Sequence, residues 1–119
     1  MLLAEVVTVE DRSRAGDDSA VFAGLDCGWN VMNGVFVYHE STGIVPCGAA
    51  DAPATRRYTV TGHINEGPDV FAEDASLPAL EEGDIVALPG VGSYFQAAWH
   101  LHCLRPFPKV LYLEDRLPV

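Results

Sequence analysis

Thr61-Gly62-His63-Ile64-Asn65-Glu66-Gly67-Pro68-Asp69-Val70 is the stretch on which the reading of this chain turns. Upstream, Arg57–Ile64 alternates: Tyr58, Val60 and Gly62 stand against Thr59, Thr61 and His63, as in a half-exposed strand. Glu66-Gly67-Pro68-Asp69 then breaks the pattern with turn residues, and Asp69–Ala72 resumes it as a short strand. Further on, Leu80-Glu81-Glu82-Gly83-Asp84-Ile85-Val86 places a glycine where a turn needs a conformation that a β-carbon penalises. Ile85–Leu88 reads as a buried strand stopped by Pro89-Gly90.

The rest of the chain follows the same punctuation. Leu2–Val9 is apolar and β-branched, Asp11–Asp18 is a polar loop, and Ala20–Leu25 is a second strand ended by Asp26-Cys27-Gly28. Gly34–Tyr38 (GVFVY) has strand character, Gly48–Thr55 is a small, Pro-containing loop, and Val110–Leu113 is a final strand with a polar tail. Gly92–His102 suits either a short helix or a strand. Many short strands, frequent turns and no long amphipathic helix indicate an all-β barrel or sandwich over residues 1–119, with no repeat or linker.

Composition narrows the function. With 119 residues there is room for one domain, and with 49% apolar residues there is a core to fold it. A net charge of −10 and a single lysine, Lys109, argue against nucleic acid and anionic membranes as partners. No run of about twenty apolar residues could cross a bilayer. The start, Met1 to Val7, lacks a basic region and meets Glu5 at once, so it does not read as a signal peptide. Cys27, Cys47 and Cys103 are odd in number and have no C-x-x-C spacing, which implies reduced, buried and inert thiols and a cytoplasmic location.

The order and spacing of the two motifs, followed by Gly92-Ser93-Tyr94, resemble the C-terminal β-domain of the alanine-racemase-fold, pyridoxal-phosphate-dependent amino-acid decarboxylases. These are the ornithine, arginine and diaminopimelate decarboxylases. Their motifs run roughly G-P-x-C-[ED]-x-x-D, x-x-G-D and G-A-Y. Leu2–Val7 resembles the strand that leaves the family's barrel, and Leu25–Gly28 through Tyr38-His39 resembles its D-x-G segment and tyrosine strand. Arg105–Val110 resembles its R-P-x-x-V ending.

The resemblance implies roles residue by residue. Glu66 holds the acidic position that contacts the substrate's distal amine, a task for charge-assisted hydrogen bonds. Tyr94 matches the tyrosine that reaches the cofactor phosphate or the substrate, and Tyr38 lies near another substrate contact. Asp69 matches an acidic position that looks structural, with a carboxylate able to accept backbone N–H groups in a tight turn. Asn65 stands where the family has its proton-donating cysteine. An amide donates a hydrogen bond but gives up no proton, so His63 becomes the loop's titratable alternative. Asn33-Gly34 replaces an arginine, which provides less well for a second substrate carboxylate.

The resemblance also implies what these residues do not supply. Pyridoxal phosphate needs a Schiff-base lysine and a phosphate-binding loop. Lys109 is not at the family's lysine position, and the barrel that carries both is absent. The family's β-domain further takes a strand from the N-terminal end of its chain, so an open sheet edge is expected here. Three readings follow. In the first, the chain is the β-domain of a split or excised decarboxylase. It is not catalytic alone, and it completes the site of a barrel partner that holds the cofactor for an amino-acid substrate. In the second, it is a non-catalytic module that self-associates through the open edge or regulates a decarboxylase. In the third, it is a small stand-alone enzyme using His63, His100, His102 and Glu66; on a strand, His100-x-His102 would face one side and could share a metal.

Overall fold

The computed structural model describes residues 1–14, 21–39 and 42–112. Among the described residues, a six-stranded sheet curled into a half-barrel forms the body of the fold, in the order β3-β6-β1-β2-β4-β5. β1 (Leu2–Asp11) lies at its centre, antiparallel to β2 (Val21–Leu25) on one side and β6 (Ile85–Leu88) on the other. β2 pairs in parallel with β4 (Arg56–Thr61), and β4 returns antiparallel as β5 (Val70–Leu77). β3 is only Val45–Pro46, against β6.

The alternation that marks β1 as a strand also sorts its faces. Leu2, Ala4 and Val6 are buried, while Leu3 and Val7 are exposed. On the inner side they join Val21, Ala23, Leu25, Tyr58, Val60, Val86 and Leu88 in one core. Tyr58 is fully buried because its hydroxyl has a partner, the Leu80 backbone N–H at 2.9 Å. Arg56 and Asp11, and Arg57 and Asp74, form ion pairs at the solvated margin.

The two outermost strands are β3 and β5. β5 has eight residues with β4 on one side, and among the described residues no strand pairs with its other side.

Two expected strands are not strands. Gly34–Tyr38 falls within and just after α1, a short helix over Asn33–Val37. A four-residue apolar run fits either state by pattern alone, and here tertiary contact decides. The turn before it closes with Met32 N–H on the Gly28 carbonyl at 3.2 Å. Gly34 then lies so close to the Phe95 ring that a Cβ would come within 2.5 Å of it. Phe95 belongs to α2 (Ser93–Ala97), so the segment 92–102 resolves toward helix at its start. Val110–Tyr112 forms no strand, and Leu113 lies outside the described residues, as do Ala20 and residues 15–18 of the Asp11–Asp18 loop.

Candidate functional site

The β4–β5 loop is organised around one carboxylate. Asp69, 3% exposed, accepts the Trp29 N–H on Oδ1 at 2.8 Å and the Ile64 N–H on Oδ2 at 2.6 Å. Further backbone bonds tighten the loop: Gly62 N–H to the Asp69 carbonyl at 2.9 Å, Glu66 N–H to Ile64 at 2.8 Å and Asp69 N–H to Glu66 at 3.0 Å. Burial pushes the Asp69 carboxyl above its ordinary value, against the opposing pull of the Ile64 and Trp29 amides. Gly62 is required here, because a β-carbon would overlap the Asp69 carboxylate. A Cβ on Gly28 would stand 2.7 Å from the Ile64 side chain. The loop is thereby clamped to the turn after β2, with His63 N–H also bonded to the Cys27 carbonyl at 3.1 Å.

That clamp presents two residues outward. Asn65 and Glu66 are both exposed at the loop tip. Glu66 Oε1 lies 2.6 Å from His102 Nε2. His102 begins a 3-10 turn, His102–Leu104, and its ring packs 4.9 Å from the Trp29 ring, centroid to centroid. His100 packs on the same Trp29 at 4.5 Å. His63 faces inward instead. Its Nε2 is buried without a hydrogen-bond partner among the described residues, beside a cleft of about 210 Å³ that Asn30, Cys27 and Phe107 also line. Burial first, and then Arg105, hold the His63 imidazole below its ordinary pKa, so it is neutral near pH 7. Arg105 donates to the His63 carbonyl at 2.9 Å.

A second pair lies on the neighbouring helices. The Tyr38 and Tyr94 hydroxyls are 2.6 Å apart, with both rings exposed. The packing of 92–102 against 29–37 brings them together. Trp99 Nε1 donates to the Val31 carbonyl at 3.0 Å, Asn33 Nδ2 to Ala98 at 2.7 Å, and His100 N–H to Asn30 at 3.1 Å.

The expected site residues therefore fall into three places: Asn65 and Glu66 at the loop tip, Tyr38 with Tyr94 on the helices, and His63 facing the cleft. Sequence reasoning missed Trp29, the platform for both C-terminal histidines. The stand-alone-enzyme reading grouped His102 and Glu66 with His63 and His100; the fold pairs His102 with Glu66 across 36 residues and leaves His63 facing the cleft. His100 and His102 lie off the sheet with rings nearly perpendicular and 6.0 Å apart, which removes the strand geometry on which a shared metal was argued. Among the described residues, no group of three or more His, Cys, Asp or Glu side chains could hold a metal ion. Cys27 is buried, and burial followed by Asp26 and Asp69 drives its thiol pKa strongly upward. Cys47 and Cys103 are free but exposed, contrary to the expectation of buried thiols. Among the described residues, no helix is long and apolar enough to cross a membrane.

The fold and motifs define a decarboxylase-type sheet domain. The chain belongs to the family described as "Pyridoxal-dependent decarboxylase, C-terminal sheet domain", which it matches over residues 1–92. It is similar to the diaminopimelate decarboxylase of Methanothermobacter thermautotrophicus, 29% identical over 119 residues, covering 99% of this chain and 26% of that protein. The diaminopimelate decarboxylase of Helicobacter pylori strain J99 is 34% identical over 97 residues, covering 79% of this chain and 23% of that protein. The chain thus spans about a quarter of the length of these relatives. Among solved structures, diaminopimelate decarboxylase from Helicobacter pylori complexed with L-lysine superposes with a TM-score of 0.72 at 26% identity, over 87% of this chain and 24% of that one. Lysine decarboxylase from Selenomonas ruminantium shares the fold at a TM-score of 0.81 and 21% identity, over 96% of this chain and 29% of that one.

Proposed function

We propose that this chain is the β-domain half of a pyridoxal-phosphate-dependent amino-acid decarboxylase and completes the active site of a cofactor-bearing barrel. The barrel would come from a separate polypeptide or from another part of the same one. The observation that carries this reading is Glu66: the family's substrate-contacting position holds a carboxylate, solvent-facing, on a loop whose backbone Asp69 fixes. A fixed carboxylate of that kind suits the distal ammonium of an amino acid such as lysine or diaminopimelate.

The chain's own residues do not fit the whole cofactor. Lys109 is exposed in the extended segment after Arg105, and α1 and α2 have five residues each, too short to cradle a phosphate at an N-terminus. They fit a contributing share. The Tyr94 hydroxyl, aligned by Tyr38, would donate to the cofactor phosphate, while the barrel supplies the lysine and the electron-sink chemistry. Asn65 would orient the reacting group by hydrogen bonding; His63, the loop's titratable alternative, faces the cleft behind the tip and would exchange a proton only through that cleft. Assembly is favoured by the exposed β1, β3 and β6 residues Leu3, Val7, Val45 and Ile85, and by the unpaired side of β5 among the described residues. The same surfaces favour self-association as the second reading. A reducing, cytoplasmic setting suits the three free cysteines.

Co-purification of the tagged chain from its native cells tests this. A stoichiometric barrel partner with the visible absorbance of lysine-linked pyridoxal is the expected result. A colourless homodimer would favour the self-associating module instead.

A further inference from the structure

The geometry points to His102 as a positioning residue for Glu66: it fixes one carboxylate oxygen so that the other is presented to the distal ammonium of an amino-acid substrate. The inference rests on the reading of Glu66 as a substrate contact and extends it to a residue 36 positions away, outside the matched 1–92 segment.

The Glu66 backbone is held within its tight turn by bonds at 2.8 and 3.0 Å. Its side chain still has three rotatable bonds, and a glutamate left free at a loop tip would sample many rotamers at an entropic cost to any ligand. The bond from His102 Nε2 to Oε1, at 2.6 Å, removes most of that freedom and leaves Oε2 outside the contact. His102 is itself fixed, through its ring on Trp29 at 4.9 Å and through a backbone turn in which Cys103 and Leu104 take left-handed φ of 53° and 54°. Trp29 is anchored in turn by Asp69, the carboxylate that also holds the Glu66 loop. One buried group therefore sets both ends of the Glu66–His102 contact. Among the described residues, the charged and titratable groups packed nearby include Asp69 beneath the loop, His100 across from His102, and Arg105, whose N–H bonds the His102 carbonyl at 3.1 Å and whose guanidinium donates to the His63 carbonyl at 2.9 Å. A neutral imidazole in the Nε2–H form suffices for the bond, so the contact does not require a second positive charge beside the incoming ammonium.

Two measurements test this. In the chain itself, ring-nitrogen NMR should show His102 Nε2–H as a hydrogen-bonded donor, and that hydrogen-bond signature should be lost in Glu66→Ala. The Glu66 side chain should become rotamerically averaged in His102→Ala and stay ordered in His102→Gln, whose amide can still donate. No change at either partner would overturn the proposal. In the assembled decarboxylase, with diaminopimelate and with L-lysine as substrates, His102→Ala should raise KM about tenfold while kcat holds, and His102→Gln should restore most of it. If Glu66→Gln raises KM but His102→Ala does not, positioning by His102 is wrong and the substrate role of Glu66 stands. If neither substitution moves KM, the role of Glu66 itself fails.

Discussion

Glu66 and Asp69 stand three residues apart on one loop and have the same functional group, yet they occupy opposite environments. Asp69 is buried, with both oxygens taken by backbone amides of two different segments. Glu66 is exposed, with one oxygen engaged by a side chain from the far end of the chain. A carboxylate whose bonds all go to its own backbone is spent on architecture. A carboxylate held by one oxygen at the surface has capacity left for a ligand. This loop divides its labour: the inner end sets shape so that the outer end can be precise.

Removing the inner carboxylate should have the largest effect. Asp69→Ala leaves two backbone N–H groups without their acceptor and is expected to lower unfolding stability by about 3 kcal/mol in urea denaturation. A loss comparable to that of a surface substitution would mean that the clamp is not structural. Gly62→Ala should follow at about 2 kcal/mol, since the added methyl must displace the Asp69 carboxylate. Its unfolding midpoint is the readout, and a double variant with Asp69→Ala should cost less than the sum of the two if the clash is with that side chain.

Acid titration sharpens the contrast at the cleft. His63 has its folded pKa below the ordinary 6.5, so its stabilising contribution is fully present above that value. It is lost as pH falls from there through the depressed folded value, because the unfolded chain takes up the proton first. Asp69 acts with the opposite sign: its raised folded pKa makes its contribution largest below the ordinary 3.8 and lost as pH rises through the folded value. In His63→Gln, the stability-against-pH curve should flatten just below 6.5 and keep its slope in the carboxylate range. The smallest stability effect belongs to the outer residue. Glu66→Ala should move the unfolding midpoint by no more than about 0.5 kcal/mol equivalent, and its consequence should appear instead as a raised KM in the assembled enzyme.

Strands marked by alternation or by apolar runs bounded by turn residues were legible. Arg57–Ile64, read from its alternation, contains most of β4. Of the two read as apolar runs, Ile85–Leu88 coincides with β6 and Leu2–Val9 lies within β1. The structural role assigned to Asp69 is met by its two backbone bonds. Gly34–Tyr38 was misread because a short apolar run has no period long enough to separate helix from strand. The resemblance implied one site for Tyr38 and Tyr94, and the stand-alone-enzyme reading grouped Glu66 with His102, but the direct pairing within each couple came only from the fold, since the chain between them carries no pattern.

What the sequence alone determined is the set of elements and the chemical groups at the loop tip: alternation specifies strands, and glycine, proline and aspartate specify where they turn. What only the tertiary structure decided is which of those groups remain available. The α1–α2 contact, the stacking of His100 and His102 on Trp29, and the capture of Asp69 by two backbone segments are long-range packing events. They depend on how the sheet curls and where the chain returns, and local propensity does not encode either.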